Sequence, residues 1–264
     1  MKKLLRYIFN KFNYDIIKLN YYGTEKYKIQ SGTNGLNFYD TPTGKYYLPA
    51  GARKDIVANG IKSGKYFEPE VIQLAEQYIK DGTVVLDVGA NYGQMSVCFS
   101  KLNQKGTVYS FEAEPYIASI LQKNVLANDC TNVKIITGAV YNETGKKLIF
   151  PEPDFIRFIS YGSYGIDPNA KEGRTVESIT IDSLNIAEPI SFLKVDIQGS
   201  DLFALQGARE TILRNKMPIL FEFEEQFQAE FHTSFNDYAD FVRSINYRFE
   251  KIILDINYLI LPNE

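Results

Sequence analysis

The stretch VVLDVGANYGQMS, from Val84 to Ser96, joins an apolar run to a turn built of small residues. The run predicts a buried strand, and the residues after Gly93 predict the start of a helix. Small residues between a strand and a helix let a ligand reach backbone N–H groups at the helix N-terminus. The stretch therefore predicts a ligand-binding turn at the carboxyl end of a strand.

Strands and helices alternate around this turn, which predicts an α/β fold with a mostly parallel sheet and helices on both faces. We expect residues 247–254 and 258–261 to form a hairpin that adds an antiparallel strand at one edge. Residues 151–173 interrupt the pattern and are predicted to form a long loop. The other predicted strands span residues 84–88, 107–111, 133–137, 147–150, 192–195 and 219–223; helices are predicted at 69–79, at 234–245 and from near residues 93, 115 and 200.

The composition restricts the classes of function. The chain has 264 residues, of which 45% are hydrophobic and 23% charged, as in soluble globular proteins. A formal net charge of −3 argues against nucleic acid as a partner. Two isolated cysteines and one histidine leave no zinc site and no disulfide framework, so a cytoplasmic location is the simple interpretation. No apolar run approaches the roughly 18 residues of a transmembrane helix.

Residues 1–66 are predicted to form an N-terminal extension ahead of a main domain that spans residues 67–264. Basic and apolar side chains recur at helical spacing in the first 20 residues. This pattern fits a helix at a membrane surface or oligomer interface, or a helix packed on its own domain. We expect the strands and loops of residues 20–66 to contribute to the substrate site.

The spacing of the glycines distinguishes between ligands. A dinucleotide-binding turn that begins at Gly89 requires glycine at positions 91 and 94, which hold Asn91 and Gln94. The pattern Asp-x-Gly-x-Asn-x-Gly instead suits a ligand that places no phosphate over the turn. Glu112 follows Gly89 by 23 residues, close to the spacing of about 20 expected of a ribose-binding acid. The alternative is an ordinary turn followed by a solvent-facing glutamate.

The stretches VVLDVGANYGQMS, YSFEAEP, ITIDSL and LKVDIQGSDLFALQGA together resemble the FkbM family of S-adenosylmethionine-dependent methyltransferases. The resemblance covers most of the chain from Tyr47 onward. It implies a class I, Rossmann-like sheet of seven strands, with O-methylation of sugars in bacterial surface glycans or of secondary metabolites. It also implies a cofactor site in which Glu112 holds the ribose, Ala113, Gly138 and Ala139 border the adenine, and the turn residues Asp87, Gly89, Ala90, Asn91 and Gly93 border the methionine part.

Two positions depart from the family pattern. Gln198 stands in Asp196-Ile197-Gln198-Gly199, where the family usually has glutamate, and Glu224 stands where the family often has histidine. These departures put in doubt any catalytic role that depends on the usual glutamate or histidine.

The chemistry of methyl transfer to a sugar hydroxyl requires a base or a metal ion that lowers the hydroxyl pKa. Asp196, Glu222 and Glu224 end neighbouring predicted strands, so we expect them to converge beside the transferred methyl group. They would bind Mg²⁺ or Mn²⁺ together, or Asp196 or Glu224 would act as a metal-free base. His232 is a further candidate base, since imidazole titrates near neutral pH. The structural alternative is that these acids cap helices or pair with Lys194 or Arg209.

Aromatic side chains are candidates for substrate binding, because tyrosine rings stack on the apolar face of a sugar. The candidates are Tyr46, Tyr47, Tyr161 and Tyr164. The expected substrate is a small molecule or glycan, and a nucleotide-activated sugar in particular. An oligomer is an alternative that the sequence leaves open. A nicotinamide-dependent oxidoreductase and a non-catalytic binding module are the alternatives.

Overall fold

The computed structural model describes residues 27–31, 35–150 and 165–264. Thirteen strands and eight helices follow one another in these ranges. The strands are β1 (Lys28–Ser31), β2 (Leu36–Thr41), β3 (Gly44–Pro49), β4 (Val84–Val88), β5 (Thr107–Glu112), β6 (Val133–Thr137), β7 (Ala139–Val140), β8 (Lys147–Phe150), β9 (Arg174–Ile179), β10 (Ile190–Val195), β11 (Ile219–Glu222), β12 (Tyr247–Ile253) and β13 (Asn257–Pro262). The helices are α1 (Ile56–Lys62), α2 (Pro69–Tyr78), α3 (Gln94–Leu102), α4 (Pro115–Ala127), α5 (Asp201–Gln206), α6 (Arg209–Asn215), α7 (Glu225–Phe231) and α8 (Phe235–Ser244).

The main sheet has seven strands in the order β12-β13-β11-β10-β4-β5-β6. Strands β11, β10, β4, β5 and β6 are parallel, which confirms the predicted α/β fold. Strand β13 is antiparallel to β11, and β12 is antiparallel to β13. The single antiparallel strand therefore lies second from the edge, inside the outermost strand β12, and not at the edge itself.

Strand β4 lies at the centre of the sheet, and all five of its residues are buried. Leu86 and Val88 pack into the hydrophobic cluster on one face, and Val85 packs into the cluster on the other. Burial on both faces explains why β4 is a continuous apolar run and not an alternating one. Asp87 is the polar exception, with none of its surface exposed.

Several features of the fold differ from the sequence-based prediction. The helix expected from residue 200 is divided into α5 and α6 at Gly207, where a Cβ atom would lie 1.9 Å from the carbonyl oxygen of Tyr141. The backbone after β7 thus packs directly against the helix break. Strand β8 belongs to a separate three-stranded sheet, of order β7-β9-β8, and not to the main sheet. Neither β9 nor α7 was expected from the sequence pattern.

The N-terminal strands form a third, antiparallel sheet of order β1-β2-β3. Tyr39, Tyr46 and Leu48 are buried there, in a cluster that also contains Tyr92 and Leu121 of the main domain. The hypothesis of an amphipathic helix in the first 20 residues and the two tyrosines Tyr161 and Tyr164 lie outside the described residues. Among the residues that are described, no helix has the length and apolar character needed to cross a bilayer.

Candidate active site

The glycine turn between β4 and α3 is held in an unusual backbone conformation. Gly89, Asn91 and Gly93 all have positive φ angles, of 82°, 50° and 87°. A Cβ atom at Gly89 would lie 1.9 Å from the carbonyl oxygen of Asp196, and one at Gly93 would lie 2.4 Å from Leu121 Cδ1. Glycine is therefore required at both positions, because the turn packs against the end of β10 on one side and against α4 on the other.

Glu112 closes β5 and faces the glycine turn. Its Oε2 accepts a hydrogen bond from the backbone N–H of Asn91 at 2.9 Å, and its Oε1 accepts one from Glu114 N–H at 2.9 Å. Burial raises the pKa of Glu112 to about 7, against the lowering effect of these backbone donors. Each carboxylate oxygen keeps a lone pair for a further donor, which fits the vicinal hydroxyls of a ribose.

A cleft of about 650 Å³ of empty space, which includes open solvent, runs along the carboxyl ends of β4, β5 and β10. Of the nine predicted cofactor residues, six line it: Gly89, Asn91, Glu112, Ala113, Gly138 and Ala139. Asp87, Ala90 and Gly93 do not line it. Phe150 and Ile166 also line the cleft and were missed, because they belong to the small sheet and to the segment that precedes β9.

Asp87 lies beneath the turn in a buried polar layer. Its Oδ2 accepts a hydrogen bond from Ser96 Oγ at 2.5 Å, and Lys194 Nζ lies 3.9 Å from its Oδ1. Lys194 also donates to Asp196 Oδ2 at 3.1 Å. Burial alone would lower the pKa of Lys194, but Asp196 and Asp87 outweigh it and raise that pKa. Lys194 is thus a fixed cation between two carboxylates, one under the turn and one in the cleft.

Asp196 is the one predicted catalytic residue that lines the cleft. Gln198 connects it to the next strand, since Gln198 Nε2 lies 3.4 Å from Asp196 Oδ1 and donates to Glu222 Oε2 at 3.0 Å. Burial and the neighbouring Asp196 raise the pKa of Glu222 well above its ordinary value. Asp196 has a hydrogen-bond donor on each of its carboxylate oxygens, Lys194 on Oδ2 and Gln198 on Oδ1.

Glu224 lies at the start of α7, where its Oε2 accepts a hydrogen bond from Gln226 Nε2 at 2.7 Å. Burial and the Asp196 charge raise its pKa to about 7. The expected metal cluster of Asp196, Glu222 and Glu224 is not supported, because within the described residues no three His, Cys, Asp or Glu side chains are placed to hold a metal ion. The Lys194 ammonium already neutralises Asp196 at 3.1 Å and would repel a second cation at the same carboxylate.

Three other predicted residues are placed as follows. His232 is exposed at the end of α7, with φ 53°, and borders a groove beside Phe203 and Phe241 and not the cleft. Tyr46 is fully buried, and its hydroxyl donates to the carbonyl oxygen of Thr43 at 3.1 Å. Its ring has no free face for a sugar. Tyr47 is half-buried and packs on Phe38, with ring centroids 4.8 Å apart.

Glu68 is a residue of this region that the sequence reasoning missed. It precedes Pro69 in a left-handed conformation, with φ 49°, and makes no side-chain hydrogen bond that would cap α2. Burial and Asp196 raise its pKa to about 7, while Lys194 lowers it. The only sequence signal for Glu68 is its position as an acidic residue before proline in YFEPE. Its distance along the chain from Asp196 gives no indication that the two side chains lie in the same region.

The fold is Rossmann-like, and the cleft lies at the carboxyl ends of its parallel strands, where proteins of this fold class bind their ligands. The sequence model described as "Methyltransferase FkbM domain" matches residues 87–249. Since this is more than half of the chain, the protein belongs to the FkbM methyltransferase family. The match begins at Asp87 and includes the glycine turn, Glu112, Asp196 and Glu222.

Several solved structures are similar in fold at low sequence identity. Methyltransferase FkbM from Methylobacillus flagellatus KT is 16% identical, with a TM-score of 0.46, over 78% of this chain and 54% of that one. TYW2 from M. jannaschii, in complex with AdoMet, is 11% identical, with a TM-score of 0.44, over 88% and 87%. An rRNA methylase from Streptococcus thermophilus is 10% identical, with a TM-score of 0.44, over 72% and 92%. No curated protein matches the sequence.

Proposed function

We propose that this protein transfers the methyl group of S-adenosylmethionine to a hydroxyl of a sugar, in a nucleotide-activated sugar or a surface glycan of the capsule or lipopolysaccharide type. The observation that carries the proposal is the position of Asp196 in the same cleft as the glycine turn and Glu112. An anionic acid beside the donor methyl group is what the deprotonation of a weakly acidic hydroxyl needs.

We assign the cofactor to the cleft by the chemistry of its lining. The turn residues Gly89 and Asn91 would contact the methionine part, and Glu112 would accept hydrogen bonds from the ribose hydroxyls. Ala113, Gly138 and Ala139 are small residues that leave room for the adenine ring. Bound there, the cofactor supplies an electrophilic methyl group on a sulfonium ion.

The proposed reaction is an in-line displacement at that methyl group, so positioning supplies most of the catalysis. Asp196 would accept the proton of the acceptor hydroxyl as the oxygen–carbon bond forms and the sulfur–carbon bond to the methyl group breaks, with S-adenosylhomocysteine as the leaving group. Lys194 and Gln198 fix the two carboxylate oxygens of Asp196, which restricts its rotation. Glu222 accepts the hydrogen bond of Gln198 and so holds the Gln198 amide beside Asp196. None of these roles uses a metal ion.

We place the acceptor beside Asp196, on the side of β11, where Glu224 and Glu68 also lie in the electrostatic range of Asp196. Tyr47 stays a candidate for sugar contact. Arg53 and Lys54 are exposed in the segment before α1 and offer positive charge for a nucleotide phosphate.

The experiment is methyl transfer from methyl-labelled S-adenosylmethionine to three acceptor panels, namely nucleotide sugars, oligosaccharides and hydroxylated secondary metabolites, each with and without EDTA. We expect label in a sugar, with equal rates in the presence of the chelator. Transfer of label only to secondary metabolites would refute the sugar as acceptor and would favour secondary metabolites, the other substrate class that the family resemblance implies. A rate abolished by EDTA and restored by Mg²⁺ would refute the metal-free base.

A further inference from the structure

Asn124 of helix α4 and Asn128, the residue that caps its carboxyl end, pair their carboxamides with alternate residues of β3. Asn124 Oδ1 accepts a hydrogen bond from Tyr47 N–H at 2.6 Å, and Asn124 Nδ2 donates to the Tyr47 carbonyl at 3.2 Å. Asn128 repeats the pattern with Lys45, at 3.0 Å from its N–H and 2.6 Å from its carbonyl oxygen. Strand β3 is an outer strand of its sheet, so the two amides take the place of a neighbouring strand.

The match depends on two regular spacings. Residues four apart on a helix are separated by about 6 Å along the axis, at about 1.5 Å per residue. Residues two apart on a strand are separated by about 6.7 Å, so the pair of asparagines fits the pair of strand residues. Gly44 makes room for the contact, since a Cβ atom there would lie 2.5 Å from Asn128 Oδ1.

Asn124 makes one bond that Asn128 does not make. Its Nδ2 also donates to the carbonyl oxygen of Tyr92 at 2.8 Å, and its side chain is fully buried. Tyr92 lies in the glycine turn, directly after Asn91. The hydroxyl of Tyr92 donates to Asp55 Oδ2 at 2.9 Å, in the segment that follows β3. The turn is thus tied to the N-terminal segment through both its backbone and a side chain.

We propose that Asn124 is a positioning residue for the methyl donor, and that it couples cofactor binding to the docking of the β1-β2-β3 sheet. The Asn124 carboxamide is hydrogen-bonded to both the glycine turn and the edge of β3. A movement of the turn relative to β3 therefore breaks at least one of these hydrogen bonds. A coupling of this kind is reciprocal: docking of the sheet favours cofactor binding, and cofactor binding strengthens docking. The inference rests on the cofactor position proposed above.

The test compares Asn124→Ala with Asn128→Ala, which removes the matched amide that does not touch the turn. Isothermal titration with S-adenosylhomocysteine measures cofactor affinity, and hydrogen exchange measures protection of the Lys45 and Tyr47 amides. We expect Asn128→Ala to expose the Lys45 amide only and Asn124→Ala to expose the Tyr47 amide. Only Asn124→Ala also breaks the bond to the Tyr92 carbonyl that transmits the coupling, so only this variant should raise the Kd, by about tenfold, within the usual range of coupling between sites. In the wild-type protein we expect bound S-adenosylhomocysteine to slow exchange at Tyr47.

Equal Kd values for the two variants would overturn the inference and leave Asn124 as a structural residue only. If Asn124→Ala does not fold, Asn124→Asp keeps the acceptor for Tyr47 N–H and removes both donors, and the same comparison applies with Asn128→Asp. The wild-type exchange experiment also decides by itself, because unchanged protection of β3 on ligand binding would refute the coupling. A wild-type protein that binds no S-adenosylhomocysteine would refute the cofactor position and this inference with it.

Discussion

Replacement of Glu112 by glutamine is the most direct test of the cofactor site. The wild-type carboxylate accepts hydrogen bonds from Asn91 N–H and Glu114 N–H, and the proposal adds two ribose hydroxyls. A glutamine Nε2 group would face one of the two backbone donors, so the amide can accept on one side only. Loss of one charge-assisted hydrogen bond costs about 1.5–3 kcal/mol. With a tenfold change for about 1.4 kcal/mol, we expect a rise in the Kd of roughly 10–100-fold.

The assay is isothermal titration of Glu112→Gln with S-adenosylhomocysteine at neutral pH. Glu188→Gln is the matched control, because Glu188 is exposed and lies far along the chain from the turn. Circular dichroism and thermal unfolding check that both variants are folded. A folded Glu112→Gln protein that binds S-adenosylhomocysteine as tightly as the wild type would refute the assignment of Glu112 to the ribose.

Three further outcomes are expected. Asp196→Asn should lower kcat by about 10²–10⁴-fold, the usual contribution of a general base, with a much smaller change in cofactor Kd. Radiolabel transfer measures kcat and isothermal titration with S-adenosylhomocysteine measures the Kd, and retained turnover would eliminate Asp196 as the base. An alanine in the left-handed backbone conformation costs roughly 1–2 kcal/mol, and Gly89→Ala should destabilise the protein by more than this, because its Cβ would lie 1.9 Å from a backbone oxygen. Urea unfolding measures the change in the free energy of unfolding. A variant as stable as the wild type would contradict the packing of the turn. The free-protein pKa of Glu112 is about 7, so affinity for S-adenosylhomocysteine should be constant above that pH. Below pH 7 the affinity should fall by up to about tenfold per pH unit, as the Glu112 carboxylate becomes protonated and can no longer accept both hydrogen bonds. The same titration repeated with Glu112→Gln should show no such fall. A similar fall in the variant would assign the pH dependence to another group.

The sequence was sufficient for the main sheet and for the part of the site that lies on it. Apolar runs flanked by turn residues predict β4 and β10, which are buried along their whole length, because strands covered on both faces are mostly apolar. Strands β5 and β6 follow from β-branched and aromatic residues between turn signals. The turn at Gly89 and the acid at Glu112 follow from local spacing, since each lies at the end of a strand whose position is already fixed by the pattern.

The rest of the site depends on contacts between residues distant in the sequence. Gln198 appeared in the sequence only as a departure from a family pattern; its bridge between Asp196 and Glu222 requires that β10 and β11 be neighbours. Glu68 reaches the same region through a left-handed backbone that no local rule predicts before proline. Tyr46 was a candidate for stacking on a sugar, but the alternation of side chains along β3 directs it into the core.

Asn124 and Asn128 also bear on how the protein associates with other molecules in solution. An outer strand with unpaired amides and carbonyls is a template onto which a strand of another molecule can add, and this is a common route to aggregation. At Lys45 and Tyr47 those groups are already satisfied by Asn128 and Asn124. Asn124 and Asn128 thereby shield Lys45 and Tyr47 of β3 from intermolecular β-pairing.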